Sequence, residues 1–422
     1  MRFKSYIIWG IPSFVISFFI FNIFLDPTKE AFLKYSYWDS LFRFGETLRI
    51  ANAKFVDDNK SDYRQLTDMA ISGMVSKLDR HSSYYSPSEY SAFQDDTHRR
   101  YVGIGVMIRK TEKGILITRV FPKSPAQDSG LVVGDIIVRV KGESVVDWDL
   151  DQVSSRIKGI ENTNVLLSVI SNNDSLKTLK VRRQKIKISS VEDQGVDEDS
   201  IGYIRLVQFS SHSFEEFKSA IEELDSQSLK GLIIDLRDNA GGLLSSAVDI
   251  ADLFLPKGQL IVSIKGRHKN DIREYKSKSL QYIKDIPLVV LMNGGSASAS
   301  EILGGALSTW KKSVIVGEKS FGKGSVQTIF PMDDGSGLRL TTAMYFLPNG
   351  MTIHESGIEP DIVVECSDEN ETRLRIQRYV EGIMNPEEFE KQFGFFPVKD
   401  LQLEKAKEYL RSKMDFSESK SI

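Results

Sequence analysis

The second half of the sequence alternates short apolar strands with helical segments, and this alternation limits the fold more than any other feature. Gly231–Leu236 and Pro287–Met292 are apolar runs of the length expected for strands that are buried on both faces. Each run leads into a segment of helical spacing, Leu243–Phe254 and Ser298–Trp310. Strands that alternate with helices in this way predict a layered α/β core, which we place at residues 186–366.

The turns after those two strands carry the first candidate active-site residues. In the turn Asn293–Glu301 serines alternate with alanines, so a substrate carbonyl can approach the Ser298 hydroxyl while the amide of Ala299 points at the developing oxyanion. The alternative interpretation is a serine that only caps the helix. The amides of the other turn, Asp235–Gly242, can supply the rest of an oxyanion hole or can bind a phosphate.

A lysine flanked by glycines, Lys323, is the candidate base. Glycine on both sides lets the backbone bring this side chain close to a reacting group. The amine must be neutral to accept a proton at neutral pH, and burial against apolar neighbours favours the neutral form. Gln327, four residues on, falls on the same face and is suited to orient the lysine. A solvated loop lysine is the alternative interpretation.

The same segment also begins like a nucleotide-binding P-loop. Gly317–Lys323 reads G-x-x-x-x-G-K, but Gly324 replaces the hydroxyl residue that would hold magnesium. The following residues, 325–330, alternate like a strand where a P-loop requires a helix. We therefore expect no nucleotide site.

Histidines and cysteine limit the remaining chemistry. His212 and His354 leave a Ser-His-Asp triad open, although neither lies in a local pattern that points to one. The five histidines contain no pair at metal-ligand spacing, and Cys366 is the only cysteine. We expect no metal, no cofactor and no internal disulfide.

The N-terminal segment predicts a membrane anchor. The apolar run Tyr6–Leu25 is long enough to cross about 30 Å of hydrocarbon as a helix. Arg2 and Lys4 precede it, so charge bias places them in the cytoplasm and the rest of the chain on the far side of the membrane. A single cysteine, Cys366, fits an exported bacterial protein, so we expect a bacterial inner membrane with the chain on its periplasmic side. A cleaved signal peptide is the alternative, but residues 21–25 offer no small residue for a cleavage site. The net charge of -3 gives no broad positive field, so no nucleic-acid partner is expected.

The remaining segments complete the expected domain organisation. Residues 1–28 hold a short cytoplasmic tail and the anchor, 29–98 a helical arm, 99–185 a small β domain, and 367–422 a charged helical tail. The arm and the tail are natural places for self-association, and the sequence leaves a homo-oligomer or an adaptor open.

The small β domain resembles a PDZ domain. The run Val102–Val106 is similar to the carboxylate-binding loop, and Ser124–Leu131 with Gly134 is similar to the later strand-turn pattern. The amides of such a loop receive a peptide's terminal carboxylate while the peptide adds a strand. The residues that we assign to peptide binding are Val102, Gly103, Ile104, Gly105, Val106, Val153 and Ile157.

Taken in order, the motifs resemble those of the C-terminal processing peptidases, also called tail-specific proteases. The PDZ-like domain is followed by D-L-R-x-N-x-G-G, S-A-S-A-S-E, F-G-K-G-x-V-Q and G-I-x-P-D, and the likeness spans about residues 70–365. The resemblance implies a crotonase-like core and a serine endopeptidase that works without a cofactor. It also implies that the PDZ domain recognises the apolar C-terminus of a protein substrate and gates the active site.

The same resemblance assigns roles to individual residues. Ser298 is the nucleophile, Lys323 the base, and Gln327 the residue that accompanies the base. The oxyanion hole uses the amide of Ala299 and one amide of the glycine pair. Of that pair, Gly241 and Gly242, we favour Gly242.

Two positions depart from the family's pattern. Ala240 stands where a proline is usual, which can loosen the oxyanion turn. The segment 158–163, which begins with Lys158, lacks the usual arginine of R-G-x-x-G-T, and any contact that this arginine makes between PDZ domain and core is lost with it. A non-catalytic scaffold that binds protein C-termini is the alternative function, but the intact serine, lysine and glutamine favour an enzyme.

Overall fold

The structure is a computed structural model, and the part of the chain that it describes does not include the expected membrane anchor, Tyr6–Leu25. No helix within the described part is both long enough and apolar enough to span a membrane. The described residues fall into two compact units, those within 1–90 and 329–340 and those within 91–328 and 341–422. The described residues are 35–97, 102–171, 175–186, 189–225, 229–278, 282–283, 286–378 and 385–418.

The first unit consists of helices and a short strand. Asp62 caps the second helix, because its side chain accepts hydrogen bonds from the N–H groups of Arg64 and Gln65. The strand pairs antiparallel with residues 337–339. The elements are α1 (Tyr35–Lys54), a 3-10 helix (Asp58–Lys60), α2 (Tyr63–Ser76), β1 (Ser83–Tyr85) and the first residues of α3 (Pro87–Thr97).

Residues 102–185 form a small β domain with two helices. Its main sheet is antiparallel, and apolar residues from its strands fill a core of their own. Gly105, with a φ of 85°, lies between the first two strands of this domain. The elements are β2 (Val102–Gly103), β3 (Val106–Thr111), β4 (Gly114–Val120), α4 (Pro125–Asp128), β5 (Ile136–Val140), β6 (Glu143–Ser144), α5 (Leu150–Ile157), β7 (Asn164–Ile170), β8 (Leu176–Arg182) and β9 (Gln184–Lys185).

Residues 191–363 contain a six-stranded sheet in which five strands are parallel and the first strand is antiparallel. A helix lies between each two successive parallel strands up to residue 317, as the alternating sequence predicts, whereas strands of a second sheet lie before the last one. The elements are β10 (Val191–Val196), β11 (Ile201–Leu206), α6 (Ser213–Asp225), β12 (Gly231–Asp235), α7 (Leu244–Asp252), β15 (Leu288–Met292), α8 (Ala299–Thr309), β16 (Val314–Gly317) and β19 (Ile362–Val363).

A second sheet and three C-terminal helices complete the fold. Part of this sheet, residues 329–340, belongs to the first unit. The strand that starts at Ser325 occupies the place where a P-loop requires a helix, so the expected strand is confirmed there. The elements are β13 (Leu260–Gly266), β14 (Ile272–Lys276), β17 (Ser325–Pro331), β18 (Gly337–Phe346), α9 (Asp368–Arg378), α10 (Pro386–Phe393) and α11 (Leu401–Glu418).

The six-stranded sheet is buried on both faces by different elements. On one face, Ile234 of β12 packs into the cluster formed with α6, α7 and α8. On the other face, Ile233 and Val289 pack with Leu410 of α11. Burial on both faces explains why β12 and β15 are continuously apolar in sequence. The predicted layered α/β core is therefore confirmed.

Candidate active site

Ser298 lies in the turn between β15 and α8, immediately before the helix. Its φ of 55° is unusual for a residue with a side chain, and such backbone strain is found at functional sites. The two neighbouring serines are fully buried, whereas Ser298 is half-buried. Ser296 Oγ donates to Leu236 O at 2.8 Å, and Ser300 Oγ donates to Asn239 O at 2.7 Å. Those two hydroxyls hold the turn in place, which leaves Ser298 as the accessible hydroxyl of the run.

The turn Asp235–Gly242, here called the glycine turn, packs directly against the turn Asn293–Glu301, here called the serine turn. A methyl group at Gly241 would lie 2.9 Å from Ser298 Cβ and 2.6 Å from Ala297 O, so a side chain does not fit there. Ala297 N–H donates to Asn239 O at 3.0 Å and joins the two backbones. The close approach places the glycine pair beside the serine.

The two glycines of that turn differ in the use of their amides. Gly241 N–H donates to Asn239 Oδ1 at 2.9 Å. Gly242 forms a β-bridge with Phe209. In this bridge Phe209 N–H donates to Gly241 O and Leu243 N–H donates to Phe209 O, so the Gly242 N–H takes no part. Gly242 therefore has the amide that its own turn does not use.

Ala299, the other predicted oxyanion donor, is the first residue of α8. The N–H groups in the first turn of a helix have no partner within the helix, and they form the positive end of its dipole. A methyl group at Gly241 would lie 2.9 Å from Ala299 N, so this amide and the glycine pair border the same region. The structure thus brings the serine, the helix amide and the glycine pair together.

A buried carboxylate, Glu301, joins the serine turn to residues 317–327, here called the lysine segment. Its Oε2 accepts hydrogen bonds from the N–H groups of Ser298 at 2.7 Å and Lys323 at 2.9 Å. Its Oε1 accepts from Gly322 N–H at 2.7 Å and from Ser320 Oγ at 2.6 Å. Four bonds to one carboxylate fix the two candidate catalytic residues' backbones relative to each other. We did not predict this role of Glu301, although Ser298-x-x-Glu301 at a helix start has the spacing of a capping box.

Lys323 lies between two glycines that a neighbouring loop requires. A methyl group at Gly324 would lie 2.4 Å from His354 N, and one at Gly322 would lie 3.0 Å from Gly357 N. Close packing against that loop therefore explains both glycines, and it fixes the path of the lysine backbone.

Gln327 lies on β17, four residues after Lys323. Its Nε2 donates to Ser325 Oγ at 2.9 Å and to Thr341 Oγ1 at 3.2 Å. These two bonds fix the amide on the pair of strands β17 and β18.

A buried ion-pair network holds the start of the glycine turn. Arg237 Nη2 lies 2.6 Å from Asp235 Oδ2, and Arg237 Nη1 lies 2.8 Å from Asp400 Oδ1 at the start of α11. Burial raises the pKa of Asp235, but the guanidinium groups of Arg237 and Arg205 more than offset this and hold the pKa below its ordinary value. The turn is therefore anchored by groups that stay charged.

The histidines that left a triad open are less well placed than the lysine. His212 is exposed, and its Nδ1 lies 3.2 Å from Ser211 Oγ. His354 contacts the lysine segment through its main chain. Of the three candidates, Lys323 has the backbone that shares Glu301 Oε2 with the nucleophile candidate, so the geometry favours the lysine.

The predicted peptide site of the small β domain is a cavity of about 140 Å³. The loop 102–106, Phe121, Ile157 and Lys158 contribute to its lining. Val153, which we also assigned to this site, does not line the cavity. It is fully buried in the domain core, because α5 turns it inward, whereas Ile157 faces the cavity. The other six assigned residues all line it.

Comparison with known families identifies the class of protein. A family model of the PDZ domain matches residues 92–170, and a model described as peptidase family S41 matches residues 200–364. The second match contains the serine turn, the glycine turn and the lysine segment. The chain is thus a peptidase that carries a PDZ domain.

Individual relatives agree with these matches. The carboxy-terminal-processing protease of Bartonella bacilliformis is 37% identical over 333 residues, which are 78% of this chain and 76% of that protein. A probable CtpA-like serine protease of Staphylococcus haemolyticus is 38% identical over 304 residues, 72% of this chain and 60% of that protein. Among solved structures, the photosystem II D1 C-terminal processing protease matches 76% of this chain and 92% of its own, with 30% identity and a TM-score of 0.48. This chain belongs to peptidase family S41, among the carboxy-terminal-processing proteases. It is a serine protease rather than a non-catalytic scaffold.

Proposed function

We propose that Ser298 is the nucleophile of this protease and that Lys323 is its general base. The neutral amine of Lys323 takes the proton from Ser298 Oγ as this oxygen attacks the peptide carbonyl. The amides of Ala299 and Gly242 stabilise the oxyanion of the tetrahedral intermediate. The peptide C–N bond then breaks, the leaving amine takes the proton, and water hydrolyses the acyl-enzyme ester.

One observation carries this assignment: a single oxygen of Glu301 accepts from the N–H groups of both Ser298 and Lys323. The bonded hydroxyls of the two neighbouring serines support the choice of Ser298 within its run. Gln327, fixed on β17, serves to orient the lysine.

We also propose that the substrate is a protein whose apolar C-terminus occupies the PDZ cavity. The loop 102–106 supplies amides for a terminal carboxylate, and Phe121 and Ile157 supply apolar contact for the last side chain. The relative from Bartonella bacilliformis is named for carboxy-terminal processing, which supports this substrate class.

The test is cleavage of an unfolded polypeptide that ends in an apolar residue, compared with one that ends in aspartate. Ser298→Ala and Lys323→Ala should each lower kcat/KM by about 10⁴-fold or more, because both remove a group that acts in the transition state. Lys319→Ala is the matched control, since Lys319 lies in the same segment but pairs with Glu359 at the surface. Wild-type-like activity of either catalytic variant would refute the assignment. Equal cleavage of the two substrates would refute the role of the C-terminus.

We propose that the apolar run Tyr6–Leu25 anchors the chain in a bacterial inner membrane, with the protease in the periplasm. The length of this run and the preceding Arg2 and Lys4 support the placement.

A further inference from the structure

The helix α9 contacts both turns of the active site, although it lies beyond residues 200–364, which the peptidase family model matches. Arg375 Nη2 lies 2.9 Å from Asp238 Oδ1 in the glycine turn. Asn293 Nδ2 in the serine turn donates to Glu371 Oε1 at 2.5 Å. Glu371 and Arg375 also pair with each other, at 3.3 Å, one helical turn apart. One face of α9 thus reaches the two turns through an ion pair.

The residues that α9 contacts already join the two turns to each other. Asp238 N–H donates to Asn293 Oδ1 at 2.9 Å, and Asn293 Nδ2 donates to Asp238 Oδ1 at 3.1 Å. Asn293 Oδ1 also accepts from Gly295 N–H at 3.0 Å. A change in the Asp238–Asn293 pair therefore changes the spacing of the turns that carry the glycine amides and Ser298.

The Asp238–Asn293 pair needs outside support for two reasons. Asp238 has a φ of 62°, a left-handed conformation that costs energy in a residue other than glycine. Its carboxylate is also largely buried, and its Oδ2 has only distant cations within the described residues, Arg378 Nη1 at 3.7 Å and Arg205 Nη2 at 4.0 Å. Among the described residues, Arg375 supplies the close cation on Oδ1.

We propose that Glu371 and Arg375 are positioning residues, which hold Asp238 and Asn293 and so set the distance between the oxyanion amides and the nucleophile. We name these two residues the α9 clasp. This proposal rests on the proposed function only in taking Ser298 as the nucleophile and the amides of Ala299 and Gly242 as the oxyanion donors. It predicts that part of the catalytic geometry is set by residues outside the region that the peptidase family model covers.

Hydrogen exchange in the full-length protein tests the clasp without reference to catalysis. In Glu371→Ala and Arg375→Ala, the amides of residues 236–242 and 293–299 should exchange at least about 10-fold faster, while β12 and β15 keep their protection. The same helix offers a matched control, Glu369 with Arg373, which forms the same i,i+4 ion pair but points to Phe395 rather than to the turns. Glu369→Ala and Arg373→Ala should leave both turns unchanged. Unchanged exchange in the clasp variants, or an equal rise in the control variants, would overturn the proposal.

Kinetics and conservative variants separate positioning from general stability. Loss of the clasp should lower kcat about 10-fold or more with little change in KM, because small misplacement of reacting groups acts on the chemical step. Arg375→Lys and Glu371→Gln, which keep a cation and an acceptor oxygen, should recover most of the activity. An equal loss of activity in Arg375→Lys and Arg375→Ala would count against positioning. If Ser298→Ala stays fully active, the proposed nucleophile is wrong, and the exchange data still decide the clasp.

Discussion

Glu301 accepts four hydrogen bonds at a fully buried position, and each bond comes from the serine turn or the lysine segment. Glu301→Gln keeps the size of the side chain but replaces one acceptor oxygen with an NH₂ group that faces donors. We expect the variant to lose about 3 kcal/mol of unfolding free energy, because buried donors are left without an acceptor. We also expect its rate of labelling by a serine-reactive fluorophosphonate to fall about 100-fold, because the base and the nucleophile lose their common support.

Ser320→Ala is the graded comparison for Glu301→Gln, since it removes one of the four donors, keeps the carboxylate, and also removes the acceptor of Ile358 N–H. It should cost about 2 kcal/mol in a urea titration and label at a rate close to that of the wild type. Wild-type labelling of Glu301→Gln would show that the carboxylate does not position the site.

For single residues, the sequence predicts which side chains suit the reaction better than it predicts which groups those side chains contact. Ser298, Lys323 and the glycine pair can be chosen because their residue types suit the reaction and because glycine marks a close approach. Three of the four bonds of Glu301 come from a segment about twenty positions away, so they depend on a fold that local sequence patterns do not reveal. The sequence does not show which of the Gly241 and Gly242 amides forms a hydrogen bond within the turn. It also does not show how α5 is rotated about its axis, which decides whether Val153 faces the cavity or the domain core.

Between elements, a chain of contacts runs from the PDZ cavity to the glycine turn. Arg119 of β4 lies over the ring of Phe121, which lines the cavity, and pairs with Glu192 of β10. Glu192 Oε2 lies 3.3 Å from Arg205 Nε, and Arg205 Nη1 lies 3.3 Å from Asp235 Oδ2. The segment 158–163 lacks the arginine of the R-G-x-x-G-T pattern, and these ion pairs join the PDZ domain to the core through other residues.

This route predicts that Arg119→Met weakens the effect of the substrate's C-terminus on cleavage. The measurement is the ratio of kcat/KM for a free apolar C-terminus to that for the same peptide with an amidated end. The ratio should fall about 10-fold, and Glu192→Gln should give no further loss in the double variant, because Glu192 lies between Arg119 and Arg205 in the same row of contacts. Arg109→Met, an exposed arginine in the same sheet, should keep the wild-type ratio. Additive losses from Arg119→Met and Glu192→Gln would argue against a single route.

For the whole molecule, the membrane placement gives a direct test. The full-length protein should sediment with membranes and need detergent for its release, whereas a variant without residues 1–28 should stay in the supernatant. In spheroplasts, an added protease should digest the wild-type domain without lysis of the cells, because the domain lies outside the inner membrane. Protection from that protease would refute the proposed orientation, and release by salt alone would refute the anchor.

The layered core could be predicted from sequence because strands that are buried on both faces, such as β12 and β15, are continuously apolar. No comparable sequence pattern shows that later residues support the core. Arg237 and Asp400 are 163 positions apart, and the charged composition of residues 367–422 suggested a tail, although Leu410 of α11 is fully buried against the sheet. The sequence of a helix that packs on the core through only a few apolar residues resembles the sequence of a charged helix that is exposed to solvent.

The burial of Leu410 has a consequence for the order of events during synthesis. The glycine turn and the serine turn are translated about a hundred residues or more before α11, yet one face of their sheet stays uncovered until α11 emerges from the ribosome. The anchoring bond between Arg237 and Asp400 likewise forms only then. The two turns therefore gain the cover of α11 and the bond to Asp400 only after nearly all of the described chain has been synthesised.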